Sequence, residues 1–192
     1  MRVDPDRELV IKAKGGDLSA FEVLVERHSD VVFRVAARTV GPDDALDISQ
    51  DSFLRALSRI DSYRAEGQFR AWLLQITHNT AVNAVLRKRA EPVEELPEPG
   101  SGDPEPATAG ERQPAIRLER QERRNRLELK LRGLRMEHRT VLVLRDVEGM
   151  SYEEIAQVTG TPLGSVKGRL HRARTELIDA LRRNTYDWEL PE

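Results

Sequence analysis

Cysteine is missing from this 192-residue chain. Its absence excludes disulfides, thiolate metal sites and a cysteine nucleophile, and it fits a reducing compartment. Aromatic residues are scarce, at 5%. That is too few for the aromatic and β-branched core of a sheet protein, and it points to helices. No stretch approaches the roughly 20 apolar residues needed to cross a bilayer. The amino-terminal segment MRVDPDRELVIKAKGGD also lacks an apolar run of signal-peptide length. A cytoplasmic protein without membrane insertion is therefore expected. The formal net charge of -2 means that any contact with nucleic acid must come from local patches. The four histidines (His28, His78, His138, His171) are scattered. No HExxH, P-loop, GxSxG or strand-borne GxGxxG is present. No enzyme activity, metal or cofactor is expected.

What the chain does have is a sharp internal boundary. Residues 91–111, EPVEELPEPGSGDPEPATAGE, carry five prolines and seven acids without a single Lys or Arg. Proline removes backbone donors and like charges repel, so the segment reads as an extended, solvated linker. It serves either as an acidic spacer or as a mimic of nucleic acid threading a basic channel of a partner. Both flanks show helical periodicity. The expected fold is all-α, with two small helical domains at 1–90 and 115–184 joined by a flexible acidic Pro-rich linker at 91–114 and followed by a tail at 185–192.

The carboxy-terminal half is the more informative. Gly149 can end one helix, and Ser151 with Glu154 forms the capping-box pattern that starts the next. Ile155, Ala156 and Val158 supply its apolar side. Gly160 gives the turn a permissive backbone. Thr161 is a good N-cap and Pro162 fits the first helical position. Leu163, Val166, Leu170, Ala173, Leu177 and Leu181 then form one apolar stripe. Ser165, Gly168, His171 and Arg172 point away from it, flanked by Lys167, Arg169 and Arg174. Six basic residues stand against two acidic ones between 165 and 183. A rigid helix with small residues and long donors outward can enter a major groove, with Arg donating to guanine and flanking cations on phosphates. An ordinary hairpin with a solvated basic face is the plain alternative, disfavoured by the spacing of Ala156, Gly160 and Val166.

The segment LRMEHRTVLVLRDVEGMSYEEIAQVTGTPLGSVKGRLHRARTEL resembles region 4 of the extracytoplasmic-function sigma factors, with Gly164 to Arg174 on the GxVKxRLxRAR pattern. The resemblance implies binding of the minus-35 promoter element through Thr161, Ser165, Lys167, Gly168, Arg169, His171, Arg172 and Arg174, and docking on the β flap of RNA polymerase. Gly168 stands where many members carry serine.

The amino-terminal half extends the likeness. Phe21, Leu24, Val25, Val32, Val35 and Ala36 form an apolar face, and Gly41 and Pro42 break the chain. In the next helix Leu46, Phe53, Leu57 and Ile60 share one side, while Asp47, Asp51 and Arg55 project from the other with Ile48 among them. ALDISQDSFLRAL resembles region 2.2, which docks on the β′ clamp, with Asp47, Gln50, Asp51 and Arg55 on the matching positions. Further on, Trp72, Ile76 and Asn79 share one face of a helix, and Ala71, Leu74, Ala81 and Val85 share another. A helix apolar on two sides is usually central to its domain. Opening a duplex needs stacking surfaces for extruded bases and cations for the backbone. Tyr63, Arg64, Phe69, Trp72 and the run Arg87, Lys88, Arg89 offer these. The segment resembles regions 2.3 and 2.4, which melt and read the minus-10 element, with Asn79 on the family asparagine and Asn83 and Ala84 where an acid and an aromatic are common.

The expected function is that of a transcription initiation factor that binds core RNA polymerase and promoter DNA and locates to the cytoplasm, on the nucleoid when bound. The resemblance adds an anti-sigma factor as a partner. A helix-turn-helix repressor or activator with an amino-terminal sensor or dimerisation domain is the alternative. It would bind duplex DNA without polymerase.

Overall fold

The computed structural model describes residues 4–64, 68–90 and 114–183. The acidic segment 91–113, the tail and the side chain of Arg89 lie outside the described residues. The described residues hold eight α-helices and no strand.

In the first half α1 (Arg7–Lys14), α2 (Leu18–Val40), α3 (Pro42–Ser58) and α4 (Phe69–Ala90) pack together, with a single 3-10 turn at Ile60–Ser62. Asp17 caps α2 by accepting from Ala20 N at 3.2 Å. Gly41, at φ 100°, ends it in a backbone that an L side chain resists, and Pro42 opens α3 where no donor is needed. The second half comprises α5 (Pro114–Gly133), α6 (Met136–Leu142) continuing into a π-helical turn at Val143–Val147, α7 (Tyr152–Thr159) and α8 (Leu163–Arg182).

The helix-turn-helix forms as its local signals require. Ser151 Oγ accepts from Glu154 N at 3.2 Å while the Glu154 carboxylate accepts from Ser151 N at 2.7 Å. Gly160 closes α7 in the left-handed region. Ser151→Ala removes one half of this reciprocal cap. It should cost about 1 kcal/mol and lower the melting temperature by roughly 2–4 °C in calorimetry. An unchanged midpoint would show that water replaces the cap freely. One detail differs from expectation: Pro162 occupies the N-cap position of α8, and the Thr161 hydroxyl instead lies 2.8 Å from the Thr159 hydroxyl.

A second difference is larger. The buried face of α3 is Ala45, Ile48, Ser49, Ser52 and Ala56, and Leu46 is turned outward with Leu54. Small side chains let α3 approach α2 closely, and the Ser49 and Ser52 hydroxyls are satisfied by carbonyls one turn back, at 2.6 Å each. Packing therefore selects the small-residue face over the leucine-bearing one.

The two halves also touch. One continuous core runs from Val10 and Leu24 through Leu74 to Ile155 and Ala173, with α4 packed on α7 and α2 on α6. The contact has a polar clamp. Arg34 donates to both Glu148 oxygens at 3.0 and 3.1 Å. Arg70 donates to the same carboxylate at 3.0 Å and to the Glu148 carbonyl. Arg139 reaches across to the Thr39 carbonyl at 2.9 Å.

Candidate nucleic-acid interface

The outward side of α8 is open. Ser165, Lys167, His171 and Arg172 are exposed, and Gly168 and Arg169 are half-exposed. With Gly164 and Glu137, the residues Ser165, Gly168, Arg169 and Arg172 line a shallow groove. Val166, Leu170 and Ala173 are buried on the opposite side and fix the helix against its domain. A Cβ at Gly168 would meet nothing closer than the Arg172 guanidinium at 3.9 Å, so packing does not demand glycine there. Two of the expected donors already have partners: Arg169 lies 3.6 Å from Glu137, and Arg174 donates to Asp146 at 2.6 and 3.1 Å. The hydrogen bond to Asp146 raises the Arg174 pKa further. Both pairs are solvent-accessible, so each is worth little and can be exchanged for phosphate. Tyr152 carries two further cations on its ring, Arg145 at 4.8 Å and Lys167 at 5.8 Å, and Arg145 is held by the Met150 carbonyl. Arg145 was not legible as a candidate because only the fold brings it beside α8.

The aromatic residues of the first half form a tight group. Phe69 lies 5.8 Å from Tyr63 and 5.6 Å from Trp72, and Tyr63 lies 5.4 Å from Trp72. Tyr63 and Phe69 were expected as stacking surfaces, but they are 4% and 1% exposed and belong to the core. Only Trp72 is partly open. Burial, followed by the hydrogen bond to Asp4 and its charge, raises the Tyr63 pKa. Arg64 and Asn79 are exposed, as are Arg87 and Lys88, and Lys88 pairs with Asp44 at 2.6 Å. Asn79, Arg87 and Lys88 are spread along α4, and Arg64 precedes it. His78 on the same helix is half-buried, its Nδ1 is enclosed without a hydrogen-bond partner among the described residues, and burial with the nearby Arg169 charge lowers its pKa.

On α3, Asp47 and Gln50 are exposed, and Asp51 and Arg55 pair at 3.0 Å on the half-open surface. Leu46 and Leu54 stand among them at 57% and 66% exposure. Acids and amides around two uncovered leucines make an amphipathic docking row. Periodicity alone assigned Leu46 to the core and so missed it. A second cleft, lined by Leu129, Leu134, Glu176, Ala180 and Arg183, lies between α5 and the end of α8. Among the described residues no cluster of His, Asp or Glu could hold a metal ion, and no helix is long and apolar enough to cross a membrane.

Two family models match the chain: Sigma-70 region 2 over residues 24–91 and Sigma-70, region 4 over residues 124–177. The chain is 34% identical to the ECF RNA polymerase sigma factor SigE of Mycolicibacterium smegmatis over 95% of its own length and 70% of the relative's. It is 33% identical to the ECF RNA polymerase sigma-E factor of Haemophilus influenzae, over 91% of this chain and 93% of that one. Among solved structures, CnrH in complex with the cytosolic domain of CnrY is similar at TM-score 0.68 and 31% identity, covering 94% of this chain and 99% of that one. The sigma factor RpoE of Bartonella quintana, solved with the anti-sigma factor NepR, shares the fold at TM-score 0.64 and 23% identity, covering 85% of this chain and 98% of that one.

Proposed function

This chain belongs to the extracytoplasmic-function sigma factors of the sigma-70 family, initiation factors that direct RNA polymerase to promoters, and from that premise we propose how its surfaces divide the work. Residues 115–184 read the minus-35 element. Ser165, His171 and Arg172 face base edges, while Lys167, Arg169 and Arg174, with Thr161 and Gly168 at the helix entry and middle, face phosphates and the groove floor. The observation that carries this assignment is the exposed outward side of α8, backed by the buried row Val166, Leu170 and Ala173.

Residues 1–90 bind core polymerase and act on the minus-10 element. Asp47, Gln50, Asp51 and Arg55 meet the β′ clamp, with Leu46 and Leu54 as its apolar part. Trp72 and Asn79, with Arg64, Arg87, Lys88 and Arg89, meet the melted strand. Tyr63 and Phe69 support Trp72 from beneath instead of stacking on bases themselves. The cleft between α5 and α8 suits an apolar element of the β flap. The factor binds and positions, and the catalysis belongs to the polymerase. It works in the cytoplasm, on the nucleoid when engaged, and an anti-sigma protein holds it inactive.

In run-off transcription, core enzyme supplemented with this chain should initiate at its promoter, and the isolated chain should bind the duplex weakly. Arg172→Ala should cost about 1–3 kcal/mol of promoter affinity and relax one minus-35 position, read by competition with single-base promoter variants. An unaltered base preference would remove Arg172 from the assignment. Strong promoter binding without core would instead fit a conventional repressor.

A further inference from the structure

The amino-terminal strap ties down both sides of the aromatic group. A single Asp4 oxygen, Oδ2, accepts from the Tyr63 hydroxyl and from the Phe69 backbone N–H, each at 2.9 Å. The first links Asp4 to the end of the 3-10 turn, and the second to the first residue of α4. The other oxygen, Oδ1, accepts from Asp6 N at 3.1 Å. At the far end of α1, Lys14 Nζ donates to the Tyr63 carbonyl at 2.6 Å and to the Asp61 carbonyl at 3.2 Å. The strap is itself anchored. Asp6 is buried, lies 2.8 Å from His28 Nε2 and is paired with Arg27. His28 in turn lies 5.6 Å from the Phe69 ring.

These bonds are of the strong kind. A carboxylate accepting at the start of a helix has charge assistance and favourable alignment with the helix dipole. An ordinary strap would bury apolar side chains, as Val10 and Ala13 do here. This one also spends two charged residues on one tyrosine and one helix start. Tyr63 and Phe69 are the two aromatics on which Trp72 rests.

We infer that Asp4 and Lys14 are positioning residues for promoter specificity, holding Tyr63 and the first turn of α4 so that Trp72 and Asn79 meet the minus-10 strand in one register. The inference rests on α4 being the minus-10 surface. Neither residue touches DNA. They act through Tyr63 and Phe69.

The test uses holoenzyme reconstituted from core polymerase and the full chain, selecting from a promoter library randomised over the minus-10 and minus-35 positions. Asp4→Ala should flatten the minus-10 base preference by about fivefold or more and leave the minus-35 preference intact. Asp4→Asn retains one carbonyl oxygen able to take the Tyr63 and Phe69 bonds and gives up the bond from Asp6 N, so it should keep most of the preference. Ile48→Ala, a core substitution in the separate apolar cluster with Ala36, Ala45 and Ala81, should lower the melting temperature and leave both preferences alone. Lys14→Met, which keeps the stem and loses the donor, asks the same question if Asp4→Ala does not fold. Intact minus-10 preference in the folded Asp4 or Lys14 variant would overturn the inference, as would equal flattening by Asp4→Asn and Asp4→Ala. Trp72→Ala and Asn79→Ala separate the two levels. If they change the minus-10 preference and the strap variants do not, only the strap's role fails. If they change nothing, the minus-10 assignment of α4 fails and the strap's role falls with it.

Discussion

Replacing Arg34 and Arg70 together by methionine should part the two halves of the chain without unfolding either. Glu148 has a side chain only 2% exposed, and these two guanidinium groups are its charged partners. Removing both would leave a buried, uncompensated carboxylate, which costs about 3–5 kcal/mol. The Arg34 and Arg70 side chains are themselves 41% and 32% exposed, so the lower end of that range applies. Opening the interface rehydrates the carboxylate and relieves the cost, so the population shifts to an open form by roughly 150-fold. Because the chain has no cysteine, single thiols placed at the exposed positions Ser58 on α3 and Arg182 on α8 can carry a dye pair. Energy transfer between them should fall in the double variant. Adding Glu148→Leu should restore it, because replacing a buried ionic group by apolar residues is often neutral or stabilising. Unchanged transfer in the double variant would mean that the apolar contact of α4 with α7 holds the halves together unaided.

The closed arrangement matters because of what the factor must reach. Elements named for positions 10 and 35 base pairs upstream lie about 85 Å apart along duplex DNA, at 3.4 Å per step. A compact chain of this length has a radius of gyration of about 16 Å. Both elements can be occupied together only if the halves separate, and residues 91–113 could span up to about 75 Å at full extension. With one element assigned to each half, as proposed above, the Glu148 clamp belongs to the form that does not hold a promoter.

Legibility in the sequence followed the range of the interactions. The helix-turn-helix was readable because its determinants are neighbours: Ser151 with Glu154, Gly160 at the turn, and Val166, Leu170 and Ala173 on one stripe. The two-sided burial of α4 was readable for the same reason, from Ala71, Leu74, Ile76 and Ala81. The buried face of α3 was not. Leu46 outranks Ala45 and Ser49 in hydrophobicity, and only the close approach of α2 decides between them. The clamp joins residues 114 and 78 positions apart, and no periodicity signals such a pair. Tyr63 and Phe69 looked like stacking residues because base stacking and core packing use the same side chains. Asp4 and Lys14 carried no signal at all until their partners, 47 to 65 positions away, were in place.

Reversing Asp47 and Asp51 to lysine should weaken binding to core polymerase by 100-fold or more while the chain stays folded and closed. Asp47 is exposed, and Asp51 makes a half-exposed pair with Arg55, worth about 0.3–0.5 kcal/mol. The substitutions therefore cost the free chain little. Across an interface, close charge pairs couple by about 1.5 kcal/mol or more each. Turning two attractions into two repulsions accordingly exceeds 3 kcal/mol, which is more than two decades in Kd. The loss should shrink as salt rises, since rim charges are screened over a Debye length of about 8–10 Å near physiological ionic strength. Leu46→Ala with Leu54→Ala gives the complementary signature. Together they remove apolar contact at the centre of the same row, so their loss of affinity should persist at high salt. Titrating labelled chain with core enzyme at two ionic strengths separates the two contributions. If charge reversal left the affinity unchanged at low salt, α3 would not be the clamp-facing helix. Its uncovered leucines would then need another occupant.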